Sequence, residues 1–369
     1  MFLISSLGGG GAEKVLVNLL SKIDYDKYEV DLVVVSGYGI YFKDIPKNVK
    51  VIVLFKNLFL VRMLTFFYVK YNINFFWKFI VRRKIVKKYD VAISFADSSY
   101  TDLLFYIKLI PKKLITWVHS SYNSYSNFSR KYKGNYKQRV INERYSRLNT
   151  LVFVSQDSFK SFQEIFGNQF NSKVIYNIID EQQVKIKSEE YTLEKTELTK
   201  IILMGSLLPV KGYELLILAA EILKNENVSF VIEILGDGPL KNNLNQLINS
   251  KGLQKHVFLR GFKSNPYPIL KSADIFCMTS LSEALPTALC EAMILGIPVC
   301  VTNCNGCSEV VDHGKYGEIV DINPNSIANG LKKLILDKDL RKRYANLSIT
   351  RSKIFNEDLI MSDIYKLLD

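Results

Sequence analysis

The residues able to do chemistry crowd into three short stretches of the second half of the chain. "GSLLPVKGYELL" (205–216) follows an apolar run and opens a helical pattern, so Lys211 sits in a turn where an ammonium can meet a phosphate. "LGDGPL" (235–240) follows the next apolar run and carries Gly236 and Gly238 at its tip. "SLSEALPTALCEAMILGIPV" (280–299) places Glu283 in a loop and Glu291 in the second turn of a helix that starts at Pro286. Proline suits a first helical position because its missing N–H has no partner to lose there. The amides of residues 287–289 are then free between the two carboxylates. Anion-binding amides flanked by carboxylates that accept from hydroxyls fit a sugar nucleotide, which presents ribose hydroxyls, a diphosphate and sugar hydroxyls in turn.

The elements that must hold these residues are strands alternating with helices. In the first half the apolar runs 2–5, 28–36, 49–54, 90–95, 113–119, 150–155 and 173–176 read as strands, with helical patterns at 12–22 and 156–166. A polar stretch, 180–199, reads as a linker. Strand patterns then resume at 200–205, 229–236, 257–261, 274–279, 298–302 and 317–320. Two such runs predict an α/β chain of two doubly wound parallel sheets, with ligands at the carboxyl ends of the strands. The expected domains are 1–179 and 200–355, facing across a cleft, with a terminal helix at 356–369 returning to the first domain. No uncharged apolar run of ~18 residues predicts a spanning helix, and no secretory leader is read after Met1.

The glycine run "LISSLGGGGAEKVL" (3–16) lies between a strand and a helix, where a dinucleotide loop would lie. Its spacing is wrong for one. With Gly8 and Gly10 as the first two glycines of G-x-G-x-x-G, the third position is Glu13, and no acidic residue follows the second strand. The loop reads instead either as a flexible turn into the helix or as a place where backbone approaches a ligand closely and the helix N-terminus points amides at the cleft.

Taken in order, these motifs resemble the retaining glycosyltransferases of family 4, which have the two-domain GT-B fold. The resemblance rests on "VKG", "GDGPL", two glutamates separated by seven residues, "EAMILGIPV" and "NGCSEVVDHGKYG". In the first half it rests on "SLGGGGAEKVLVNLL", "TWVHSS" and "VFVSQDS". It implies that Glu291 holds the donor ribose, Glu283 the donor sugar, and the backbone near Leu285, Pro286 and Thr287 the diphosphate. Lys211 would neutralise the leaving nucleoside diphosphate, and His119 would reach the donor sugar or the acceptor. Gly10, Gly11, Gly205, Ser206, Gly236, Gly238 and Ala284 would line the donor. The resemblance implies no metal and no other cofactor, and front-face attack by the acceptor hydroxyl. The expected reaction moves a hexose or N-acetylhexosamine from a nucleotide-sugar, with uridine as the expected base, to a glycan acceptor on a lipid diphosphate.

Two departures matter. Family members have an Arg where Ser206 stands, and losing one charged donor costs about 3 kcal/mol of transition-state stabilisation. Arg260 is a candidate replacement. Otherwise the chain is a catalytically weak subunit of a partner enzyme; a sugar-nucleotide epimerase is a third reading. Ala284 replaces the usual Gly after the first glutamate.

Charge is the last clue. The net charge is +13, and residues 56–89 hold nine Lys/Arg, ten aromatics and no Asp/Glu. Residues 108–147 hold ten Lys/Arg against Glu143 alone. Aromatics that enter a headgroup layer beside cations predict a peripheral protein on an anionic membrane surface, at the inner face of the cell membrane. No nucleic-acid module is read. The five cysteines, all in the second half, read as reduced cytosolic thiols rather than metal ligands.

Overall fold

The computed structural model describes residues 1–122, 139–193 and 197–369. These form two compact units: residues 1–122, 139–178 and Asp358–Asp369 in one, residues 179–193 and 197–357 in the other.

The first unit is built on seven strands: β1 (Phe2–Ile4), β2 (Asp31–Ser36), β3 (Lys50–Phe55), β4 (Val91–Ser94), β5 (Lys113–Val118), β6 (Thr150–Phe153) and β7 (Ser172–Val174). Their order in the sheet is β3, β2, β1, β4, β5, β6, β7. The second unit holds β8 (Thr199–Met204), β9 (Phe230–Leu235), β10 (Val257–Gly261), β11 (Ile275–Met278), β12 (Val299–Thr302) and β13 (Glu318–Val320), ordered β10, β9, β8, β11, β12, β13. Each falls on an apolar run read from the sequence, and the pairings are parallel. The runs are continuous because helices cover both faces of such a sheet. All six residues of β2 and all four of β11 are buried.

In both sheets the strand order reverses once, between β1 and β4 and between β8 and β11. The connections leaving those neighbouring strands diverge to opposite faces and open a crevice at their carboxyl ends.

Helix α1 (Gly11–Lys22) buries Val15, Leu16, Leu19 and Leu20, the three-and-four spacing of a core-facing stripe. The pair α2 (Leu58–Tyr71) and α3 (Phe75–Lys84) is joined through Asn72 in the left-handed region, and the Asn57 side chain caps the first of them. Helix α4 (Gln156–Phe166) is capped by Ser155. Where a linker was expected at 180–199, residues Glu181–Ser188 form α5. The Asp180 carboxylate accepts from the Gln183 amide at 2.8 Å, Val184 and Ser188 are buried, and Asn265 donates to the Lys187 carbonyl at 2.9 Å. A helix that buries one narrow stripe keeps a polar composition, which is why it reads as a linker. Residues 194–196 of that stretch lie outside the described ones.

The second unit continues through α6 (Tyr213–Asn225), α7 (Lys241–Ser250), α8 (Tyr267–Lys271), α9 (Thr287–Ile294), α10 (Asn305–Val310), α11 (Pro324–Leu336) and α12 (Lys338–Ser352). Its core joins Ile201, Ile232 and Ile275 of the sheet to Leu216, Ile217 and Leu331 of the helices. The last helix, α13 (Glu357–Leu368), belongs mainly to the first unit. Tyr365 there stacks on Tyr28 at 5.5 Å and donates to the Lys22 carbonyl at 3.2 Å. No described helix is long and apolar enough to cross a membrane.

Two strand ends meet through glycines. Gly236 has φ +149°, and a Cβ on it would lie 1.9 Å from the Gly205 carbonyl oxygen. Gly236→Ala therefore has to move the backbone that carries the loop after β8. Strain of this kind costs about 1–3 kcal/mol, and the urea midpoint is expected to fall accordingly. Gly8→Ala, where the new methyl would sit 3.5 Å from its nearest neighbour, is expected to leave the midpoint unchanged.

Candidate active site

In the second unit the loops after β8 and β11 meet at the reversal of strand order. Lys211 ends a short 3-10 turn, Pro209–Lys211, and Gly212 at φ +63° redirects the chain into α6. A Cβ at Gly212 would lie 2.1 Å from the Thr279 carbonyl oxygen, so only glycine permits this approach. Two hydrogen bonds stitch the loops: Thr279 Oγ1 donates to the Lys211 carbonyl at 3.0 Å, and the Leu281 amide to the Val210 carbonyl at 2.8 Å. Lys211 Nζ then donates to Glu283 Oε1 at 2.6 Å, and Ser280 Oγ donates to the same oxygen at 2.6 Å. The Lys211 side chain is 21% exposed and that of Glu283 12%, so the pair is shielded yet reachable. Behind it the Gly306 amide holds the Glu283 carbonyl at 3.1 Å, with the Ala284 carbonyl packed against Gly306. Tyr213 donates to the Gly205 carbonyl at 3.0 Å; burial, then the Glu283 charge, raises its pKa, so it stays a neutral donor.

Glu291 lies on α9 and is 3% exposed, with one oxygen accepting from the Tyr267 hydroxyl at 3.1 Å. Leu285 and Pro286 are buried, and Thr287 is half-buried. Pro286 is the N-cap rather than the first helical residue. Its carbonyl accepts from the amides of Leu289 at 3.1 Å and Cys290 at 3.2 Å. The expected free set, 287–289, therefore narrows: helix geometry leaves Thr287 and Ala288 without an intrahelical acceptor, while the Leu289 amide is engaged.

The glycine tip is tied to the same place. The Leu207 amide donates to the Asp237 carbonyl at 2.9 Å, and a Cβ at Gly238 would lie 2.8 Å from Leu207 backbone atoms. Ser206 between them is exposed. Arg260, the candidate to replace the missing cation, points its guanidinium at Glu233 and over the Phe258 ring instead. A nearby carboxylate on β9 claims it, which its position in the sequence does not show.

In the first unit two amides of the glycine loop are taken by the helix's own glutamate. Glu13 reaches back, and its Oε2 accepts from the Gly9 and Gly10 amides at 2.7 Å each, while Ser6 donates to Oε1 at 2.7 Å. The helix caps itself, as a glutamate at the third position does. Gly10 and Gly11 remain exposed at the carboxyl end of β1.

His119 follows β5 and packs on Phe95 at 4.9 Å between ring centres. Its Nε2 is buried with no hydrogen-bond partner among the described residues, and desolvation lowers its pKa to about 3.

Motif reading missed a buried polar network beside the end of β4. Arg144 donates to both oxygens of Asp102 at 3.0 and 3.1 Å, and Tyr145 donates to Asp97 at 2.9 Å. Tyr122 also donates to Asp97, and Tyr68 to Asp102. These residues share no spacing rule; only the fold assembles them.

The His119 shift carries a sign. The unfolded chain protonates this imidazole below about 6.5 and the folded chain only below about 3. Between those values the unfolded state binds more protons, so this group makes stability fall as pH falls. His119→Gln is expected to flatten the loss of thermal stability between pH 6.5 and 5, and an unchanged slope would show that the imidazole is not buried neutral.

Residues 9–183 match the family model described as Glycosyltransferase Family 4, and residues 184–350 match Glycosyl transferases group 1. An uncharacterised glycosyltransferase of Methanocaldococcus jannaschii is 30% identical over 61% of this chain and 64% of its own length. The N-acetylgalactosamine-N,N'-diacetylbacillosaminyl-diphospho-undecaprenol 4-alpha-N-acetylgalactosaminyltransferase of Campylobacter jejuni is 33% identical over 53% of each chain. The chain thus spans less than two thirds of the length of either relative. Among solved structures, Anabaena HepE in complex with UDP superimposes with a TM-score of 0.75 at 20% identity, over 100% of this chain and 99% of that one. The chain belongs to the glycosyltransferases of the family 4 and group 1 type, with two Rossmann-like domains of the GT-B fold.

Proposed function

We propose that this chain is a retaining glycosyltransferase that moves a hexose or N-acetylhexosamine from a UDP-sugar to a hydroxyl of a lipid-linked glycan. The observation that carries the reading is the Lys211–Glu283 pair, 2.6 Å apart where the strand order reverses. Glycosyl transfer breaks the bond between C1 and the diphosphate oxygen, so positive charge grows on the sugar while negative charge grows on the leaving group. Lys211 neutralises the leaving charge. Glu283 accepts from hydroxyls of the donor sugar, and Ser280 keeps its carboxylate oriented. Glu291 accepts from the ribose, and the amides at Thr287 and Ala288 face the diphosphate. Gly236 and Gly238 let the neighbouring loop close on Gly205 and Leu207 beside it. His119, neutral near pH 7, is assigned to a hydroxyl of the donor sugar or the acceptor. The acceptor oxygen attacks C1 on the face the diphosphate leaves, and its proton passes to a departing phosphate oxygen. The reading gives the charge work to Lys211 and uses no metal. UDP bound to Anabaena HepE and the diphospho-undecaprenol acceptor in the name of the Campylobacter relative support the choice of donor and acceptor class.

Purified protein is expected to turn over one member of a panel of UDP- and GDP-sugars, equally in EDTA. Glu291→Ala is expected to weaken donor binding about 10–100-fold, the range for a hydrogen bond to a charged group. Lys211→Met is expected to lower kcat about 100–1,000-fold. Unchanged donor affinity in the first variant, or dependence on a divalent ion, overturns the assignment. One observation favours a second reading. Ser206 is uncharged, and Arg260 is engaged by Glu233, so the chain could act as a weak subunit of a partner enzyme. Failure to bind any donor would select it, and release of an isomeric sugar nucleotide without acceptor would select an epimerase.

We also place the protein at an anionic membrane surface. Phe59, Phe66, Phe75, Phe76 and Phe79 are all more than half exposed on α2 and α3, within the stretch that carries nine cations and no acid. Flotation with anionic liposomes at low salt is expected, and so is its loss at high salt as screening weakens the attraction. Protein that stays at the bottom of the gradient in low salt refutes the placement.

A further inference from the structure

Helix α2 carries two different flanks. Leu60, Met63 and Phe67, at three- and four-residue spacing, face one side and line an apolar groove of about 490 Å³. Ile73, Phe76 and Phe79 line the opposite wall. The groove is as large as sites that hold small ligands, about 300–1,000 Å³. The other flank of α2 presents Arg62, Phe66 and Lys70, which line a second groove with Tyr100. A helix is only about 10 Å across, so one molecule with an apolar tail and a charged head reaches both flanks.

A soluble chain has no reason to keep this side open to water, and the charge says what covers it. A second copy of the chain would bring the same nine cations of residues 56–89 against their like, with no acid there to answer them. A phosphate-headed lipid is complementary on both flanks. We infer that the α2–α3 groove takes the hydrocarbon chain of one lipid phosphate or diphosphate, whose headgroup rests on Arg62 and Lys70. This rests on the membrane-surface reading above but goes further than adsorption, because a groove of fixed volume takes one chain and saturates.

Trp77 is a built-in reporter. It is 1% exposed and packs on Phe55, which lines the apolar groove, and on Tyr100, which lines the basic one, at 5.3 and 5.7 Å. The chain has only one other tryptophan, Trp117. Full-length Trp117→Phe protein is titrated, without nucleotide-sugar, with geranylgeranyl diphosphate below its micelle concentration. Trp77 fluorescence and calorimetry are read together. The expected result is saturable one-to-one binding. Met63→Glu and Phe79→Glu, both at exposed positions, are expected to weaken it at least tenfold while melting as the parent does. Arg62→Glu with Lys70→Glu is expected to weaken the diphosphate but leave geranylgeraniol binding unchanged. The inference is overturned by binding that does not saturate, by inorganic diphosphate binding as well as the full probe, or by full affinity in both groove variants. A dimer that Met63→Glu dissolves would assign the groove to a second copy instead. Since no donor is present, loss of turnover in Glu291→Ala bears on the transferase reading alone, and flotation without one-to-one binding leaves the membrane reading standing without the groove.

Discussion

The ammonium of Lys211 and the carboxylate of Glu283 are 72 residues apart in the chain and 2.6 Å apart in the fold. Nothing local brings them together. The reversal of strand order between β8 and β11 sends two connections to opposite faces and leaves their first turns side by side. The pair stands on those turns, and much of the second unit's loop structure serves to hold them. Gly212 lets one turn press against the end of β11, Gly306 supports the backbone at Glu283 and Ala284, and Gly236 closes the neighbouring loop onto Gly205. Each is a place where a single methyl group would push the backbone out of register with the site.

The two sheets share a topology but use their reversal points differently. In the second unit charged side chains occupy it. In the first, Glu13 takes the Gly9 and Gly10 amides of the glycine loop after β1, while a buried network around Asp97 and Asp102 ties down the end of β4. Breaking up such a network by removing one charged partner is costly, about 3–5 kcal/mol, so its members are bound to one geometry. A glycine loop of this kind keeps side chains away from whatever passes over it.

Much of this was legible in the residues themselves. The apolar runs read as strands form the strands among the described residues, most plainly β2 and β11, where burial on both faces demands near-continuous apolar sequence. The helical stripe of α1, the placement of Lys211 and Glu283 in loops after strands, and that of Glu291 on the following helix are read from spacing. The misreadings have physical causes. Helix α5 reads as a linker because it buries little. Leu289 reads as free because a regular α-helix leaves its first-turn amides open, whereas here the Pro286 carbonyl takes a tighter i→i−3 bond from 289 beside the regular one from 290. Arg260 stands in the sequence as a candidate cation, and its engagement by Glu233, 27 residues away, shows only in the fold.

What the sequence determined by itself was the alternation of strands and helices, the family resemblance, and the identity of the groups that can carry charge. Those depend on periodicity and on side-chain type, which are local properties. What only the tertiary structure decided was which groups are spent on one another. The engagement of Glu13 by the glycine amides, of Arg260 by Glu233, and of Asp97 and Asp102 by Arg144 and three tyrosines follows from how helices and loops pack around the sheets. So do the two grooves beside α2, because a helix acquires grooves only from its neighbours.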